Sequence, residues 1–102
     1  MANYHGNDKK NPKSYHLYEI LDLLENEVFK YGISGDPIDK DGLSKRLREQ
    51  LDLFNIVANW YRFEGHILVK DIAGNETARL LEDAFIDAHE KVYGYKPRGN
   101  RK

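Results

Sequence analysis

The chain of 102 residues has no cysteine, one Met, one Trp and three Pro. Without cysteine, a disulfide scaffold and a thiolate zinc site are both excluded, so the fold must stand on packing. Their absence does not fix the compartment, because an exported protein can also lack them. No apolar run approaches the roughly 20 residues of a membrane-spanning helix, so no membrane insertion is expected. Residues 1–14 are polar and lack the apolar stretch of a signal peptide, so if this domain leaves a cell, something else is expected to carry it. Internal repeats and low-complexity segments are also missing.

What remains fits one soluble, globular domain: 40% hydrophobic and 32% charged residues, with seven Tyr and four Phe to fill a core. The net charge of −1 hides a partition. The first fourteen residues carry Asp8 against Lys9, Lys10 and Lys13. The last twelve carry Lys91, Lys96, Arg98, Arg101 and Lys102 and no acid, while residues 15–90 are net acidic. Two basic ends are either solvated tails or the flanks of a phosphate-binding groove.

Residues 1–14 lack periodicity and read as a mobile polar leader, with the folded domain over 15–102. Residues 15–22 and 28–34 are β-prone and read as a hairpin. Gly35 to Gly42 reads as a loop. Leu43, Leu47, Leu51 and Phe54 recur at helical spacing and predict a helix over 41–54. Residues 60–72 read as a third strand. A second helix opens near Asn75, a plausible N-cap, with Ala78, Leu81, Phe85, Ala88 and Val92 as its apolar stripe and Gly94 and Pro97 as its stop. The expected fold is therefore α+β in the order ββαβα, a small three-stranded antiparallel sheet flanked by helices.

Several residues stand out chemically. Glu82 sits at the edge of an apolar stripe, where an unpaired carboxylate costs desolvation energy; it is either a boundary ion pair or a ligand. Glu76, Asp83 and Glu90 fall opposite that stripe and read as solvated. Arg46 and Arg48 flank the leucine stripe on opposite sides, and helical geometry does not choose between them. Tyr18 on the first strand is either core or a positioned phenol. Lys30 and Tyr31 are adjacent in a strand and point to opposite faces unless a bulge intervenes. Gly32 reads as a point of close approach by a helix or a phosphate. His89 reads as surface or as support for Glu82.

These pieces occur in a fixed order: Tyr18-Glu19-Ile20, then K-Y-G-I-S from Lys30 to Ser34, L-S-K-R-L-R from Leu43 to Arg48, N-E-T-A-R-L-L-E from Asn75 to Glu82, and K-P-R-G-N from Lys96 to Asn100. Over roughly residues 15–100, this order resembles the GIY-YIG nuclease superfamily, especially its compact members at the C-termini of bacterial polymorphic toxins. The resemblance implies a metal-dependent endonuclease. Glu82 would hold one Mg²⁺ or Mn²⁺ ion. Arg46, with Arg48 as the backup, would grip the scissile phosphate, and Tyr18 would position or activate the attacking water. Asn100 would hold the base residue or Glu82. Gly32, Arg48, Lys96, Arg98 and Arg101 would meet the nucleic acid, DNA favoured over RNA.

The chain also departs from the family's pattern. Lys30 occupies the second tyrosine position, where it could replace the phenol as a charged phosphate contact, with Tyr31 one place later; Lys30 is expected to face Gly32's side, and Tyr31 is the alternative catalytic residue. Gln50 stands one turn after Arg46, where relatives often carry His or Tyr. A ribonuclease toxin and a non-catalytic nucleic-acid-binding module are the alternatives. The same resemblance implies a bacterial effector, delivered within a larger toxin to a target-cell cytoplasm and silenced at home by a cognate immunity protein.

Overall fold

A computed structural model describes residues 13–101. Most of the expected leader, residues 1–12, lies outside the described residues, as does Lys102; Ser14 already belongs to the first strand. The elements are β1 (Ser14–Asp22), β2 (Glu27–Ser34), α1 (Lys45–Ala58), β3 (Phe63–Ala73), α2 (Asn75–Tyr93) and a short 3₁₀ turn (Arg98–Asn100). The fold is the expected α+β arrangement. The sheet is antiparallel in the order β2-β1-β3, with β1 central.

The central position explains why β1 is the most buried segment. Its alternation divides the core in two. Tyr18 and Ile20 join Leu47, Leu51 and Phe63 on the α1 side. Leu17 joins Ile72 and Ala78 on the α2 side. At the end of β1, Asp22 is 1% exposed. Its carboxylate receives Arg62 Nε and Nη2 at 2.8 and 2.7 Å and the amide of Leu24 at 3.0 Å. The Arg62 guanidinium holds this carboxyl below the usual carboxylate range despite its burial.

α1 begins and ends later than the leucine spacing suggested. Ser44 is its N-cap, accepting from the Leu47 amide, and Leu43 lies before the helix. Gly42 is left-handed (φ 81°) and closes the loop just ahead of that cap. Phe54 and Ala58 continue the inward stripe, so the helix runs on to Asn59, a left-handed C-cap. Trp60 and Tyr61 then fall in a turn and not in β3. The Asn55 side chain holds that turn through the Arg62 and Phe63 amides at 2.8 and 2.7 Å.

In α2 the N-cap is Gly74, and Asn75 is the first helical residue, its side-chain oxygen accepting from Arg79. The inward stripe runs Ala78, Leu81, Phe85, His89. Ala88 is exposed and Val92 is 74% exposed, while His89 is 4% exposed. The sequence stripe slipped by one position after Phe85, because a 3.6-residue period takes 85 to 89. His89 is thus a core residue: its Nδ1 meets the Tyr95 carbonyl at 2.8 Å and ties the C-terminal segment to α2. No helix among the described residues is long and apolar enough to cross a membrane.

Candidate active site

The site grows from the pairing of Tyr18 with Gly32 across β1 and β2. Tyr18 is 1% exposed, and the hydroxyl end of its ring packs against Gly32. A β-carbon at residue 32 would fall 2.8 Å from Tyr18 Cε1 and closer still to Cζ and Oη. What approaches this glycine is therefore the phenol itself, where a helix or a phosphate had been expected. The Tyr18 hydroxyl donates to Gln50 Oε1 at 3.1 Å. Burial raises the phenol above its ordinary pKa; the nearby Arg46 guanidinium opposes this and the Glu82 charge adds to it. The phenol is neutral at physiological pH.

β2 delivers Lys30 through a bulge. Pairing passes from Ile20↔Lys30 to Leu21↔Val28, leaving Phe29 as an extra residue. Phe29 packs its ring on Phe54 and Phe63, and Lys30 Nζ lies 3.5 Å from Gln50 Oε1. Both therefore reach the α1 side. The bulge precedes Lys30, so Tyr31 stays on the other face, edge-on to Phe85 of α2 at 5.4 Å between centroids. Lys30, and not Tyr31, stands beside Tyr18. Burial and the Arg46 charge lower the Lys30 pKa, and Glu82 opposes them.

Arg46 and Gln50 are one turn apart on α1, and the start of that helix is pinned. Ser44, fully buried, meets His16 Nε2 at 3.0 Å while capping Leu47, and the Arg46 amide donates to Asp36 at 3.1 Å. Arg48 points elsewhere. It is paired with Asp39 and Asp41 and donates to the Leu43 carbonyl, stapling the loop that precedes α1. Glu82 enters from α2, and its charge is felt by both Tyr18 and Lys30.

An open cleft of about 790 Å³ runs from Lys30 and Glu82 along α2 to the C-terminal segment. Asp83, Asp87 and Glu90 line its α2 wall, so Asp83 and Glu90 are exposed as expected but belong to the cleft. Lys96, Asn100 and Arg101 line the opposite wall. The described part of the C-terminal segment is not a free tail. Pro97 is buried, and Gly99 lies against Phe29 and Lys30. Arg98 pairs with Glu25 and Glu27, and Arg101 sits 5.1 Å over the Tyr95 ring. Asn100 serves the main chain of β2. Its amide grips the main chain of Tyr31, accepting from N–H and donating to C=O, each at 2.9 Å. It thereby closes the outer edge of β2.

Among the described residues, no group of three or more His, Asp or Glu side chains converges as a metal cage. Glu82, in an open cleft and with no cluster of three ligands formed around it among the described residues, fits a hard divalent ion that keeps most of its water, such as Mg²⁺ or Mn²⁺, and does not fit zinc.

Gln50 and His16 were the residues that sequence reasoning undervalued. His16 was legible from period-2 alternation, since it shares a face with Tyr18 and Ile20. Nothing in the sequence signals that Gln50 bridges two strands.

The small α+β scaffold thus gathers a phenol, an ammonium, a guanidinium and a carboxylate from four different elements. The family model for URI fold toxin 2 (Tox-URI2) matches residues 8–94, and the chain belongs to that family of toxin domains. The match stops short of Asn100 and the 3₁₀ turn. No curated protein and no solved structure matches the chain.

Proposed function

We propose that this toxin domain is a nuclease of the GIY-YIG type that hydrolyses phosphodiester bonds with one divalent ion, DNA being the favoured substrate. The observation that carries the reading is the electrostatic convergence of Tyr18, Lys30, Arg46 and Glu82 from four different elements, with Lys30 and Glu82 at one end of a cleft. Membership of a URI fold toxin family supports it, since that fold is related to GIY-YIG-like endonucleases.

The scissile phosphate would lie between Lys30 and Arg46. Arg46 offers planar, fixed donors to the charge that builds in the transition state. Lys30 adds a positive charge held in place by its half-burial. Tyr18, neutral and held by its packing, would orient the attacking water, whose proton would pass to solvent water in the open cleft. Glu82 would hold the ion, which supplies Lewis-acid stabilisation of the leaving oxygen. Lys96 and Arg101 on the far wall would guide the backbone of the bound strand.

The biological setting follows from the same reading: delivery within a larger bacterial toxin, action in the target-cell cytoplasm, and a cognate immunity protein in the producing cell. Purified domain is to be incubated with plasmid DNA and, separately, with structured RNA, in Mg²⁺ or in chelator. Metal-dependent cutting of DNA is expected. Cutting of RNA alone would make it a ribonuclease, and binding without cutting of either would make it a non-catalytic module.

A further inference from the structure

We infer that Gln50 is the positioning residue of this site: by holding Lys30 and Tyr18 on one oxygen, it fixes which way the phenol's only proton points. The inference rests on the nuclease reading above. Three steps lead to it, each set by donor and acceptor inventory.

First, a charged ammonium has three donors and no acceptor. The end of the Gln50 amide that faces Lys30 Nζ at 3.5 Å must therefore be the carbonyl oxygen. Second, that oxygen has two lone pairs, and the second takes the Tyr18 hydroxyl at 3.1 Å. Third, a phenol has one proton. With the proton directed at Gln50, the Tyr18 oxygen presents only lone pairs to its other neighbours. It can accept a hydrogen bond from a water and cannot donate one. A water that donates to Tyr18 keeps both of its lone pairs free for phosphorus and the ion, whereas a water that accepts from Tyr18 would have one of the two occupied. Gln50 thus selects the productive orientation.

The choice of glutamine follows from the same geometry. A carboxylate at position 50 would accept both donors equally well but would place a negative charge beside Lys30 and Arg46, the two cations meant for the phosphate. A methionine would fill the space and accept almost nothing. Glutamine accepts both donors and leaves the cationic character of the site intact. The pin on the helix start, from Ser44 to His16, keeps Gln50 at this height above the sheet.

The test is steady-state cleavage by the wild type, Gln50→Met and Gln50→Glu, with Tyr18→Phe and the Tyr18→Phe/Gln50→Met pair. Gln50→Met is expected to lower kcat by roughly 10–100-fold with KM and melting temperature little changed. Gln50→Glu should recover most of kcat relative to Gln50→Met, yet raise KM several-fold through its charge. In the Tyr18→Phe background, adding Gln50→Met should cost far less than it does alone, because the proton it orients is gone. A wild-type kcat in Gln50→Met would show that Gln50 only packs, and the inference falls while the nuclease reading stands. A raised KM with unchanged kcat in Gln50→Met would make Gln50 a substrate contact and also overturn it. If the wild type cuts no nucleic acid, the nuclease reading fails and takes the inference with it.

Discussion

Gly32→Ala tests the packing from which the site is built. The φ of Gly32 is not among the positive values, so the requirement for glycine is steric and not conformational. In an open strand, Ala would be favoured over Gly by about 0.5–1 kcal/mol. Here the new β-carbon would stand 2.8 Å from Tyr18 Cε1, against 3.4–4 Å for ordinary contact. Relief needs a ring shift on the order of 1 Å, and Tyr18 is 1% exposed, wedged among Ile20, Leu47 and Phe63. Overpacking of this kind costs roughly 1–3 kcal/mol, which outweighs the strand gain. In a domain of this size, each kcal/mol is worth about 4–8 °C of melting temperature. The shift would also stretch the 3.1 Å bond from Tyr18 to Gln50, so the cleavage rate should fall as well. The assay is urea unfolding followed by far-UV circular dichroism, beside cleavage kinetics. Adding Tyr18→Ala should remove most of the clash, so Gly32→Ala should be nearly neutral in that background. A variant with the wild-type midpoint and rate would refute the reasoning, since Ala would then fit under the ring.

Further outcomes separate the roles assigned to the other residues. Arg46→Ala should slow cleavage by roughly 10²–10³-fold without altering the melt, while Arg48→Ala should leave the rate within a few fold and slightly loosen the loop that Asp39 and Asp41 anchor; the reverse ranking in cleavage assays would contradict the placement of both. Burial lowers the His16 pKa below its ordinary 6.5, with Asp36 in partial opposition. The unfolded chain therefore takes up this proton first, and stability is retained above about pH 6.5 and declines as pH falls through the folded value. His16→Gln should flatten that part of the melting curve between pH 7.5 and 5, measured by calorimetry. Asn100→Ala removes two hydrogen bonds to the Tyr31 main chain and should cost about 1–2 kcal/mol, read by urea unfolding. Truncation after Tyr95 removes Lys96 and Arg101 as well, so it should also flatten the salt dependence of nucleic-acid binding in a titration series.

The order of elements was legible because it rests on local signals: alternating apolar residues in β1, leucines at helical spacing in α1, and Gly94 at the left-handed end of α2. Boundaries slipped where a side chain outweighed periodicity. Ser44 caps α1 although Leu43 fits its stripe, and Asn55 draws Trp60 and Tyr61 into a turn although both suit a strand. The choice between Lys30 and Tyr31 depended on where a bulge falls, and the bulge at Phe29 is set by packing against Phe54 and Phe63 from distant parts of the chain. The folding-back of Lys96 to Arg101 was hidden for the same reason. Its anchors, Glu25, Glu27 and the Tyr31 main chain, lie about seventy residues away. Composition left that segment open between a solvated tail and the flank of a groove, and the tertiary fold makes it a wall of the cleft.

The most direct test of the central claim is one cleavage experiment. Wild type and Glu82→Gln, shown to melt alike, are incubated with supercoiled plasmid in Mg²⁺ and in chelator. The account expects the wild type to cut only with the metal, and Glu82→Gln to cut in neither condition. Cutting by Glu82→Gln at the wild-type rate, or undiminished cutting by the wild type in chelator, would contradict it.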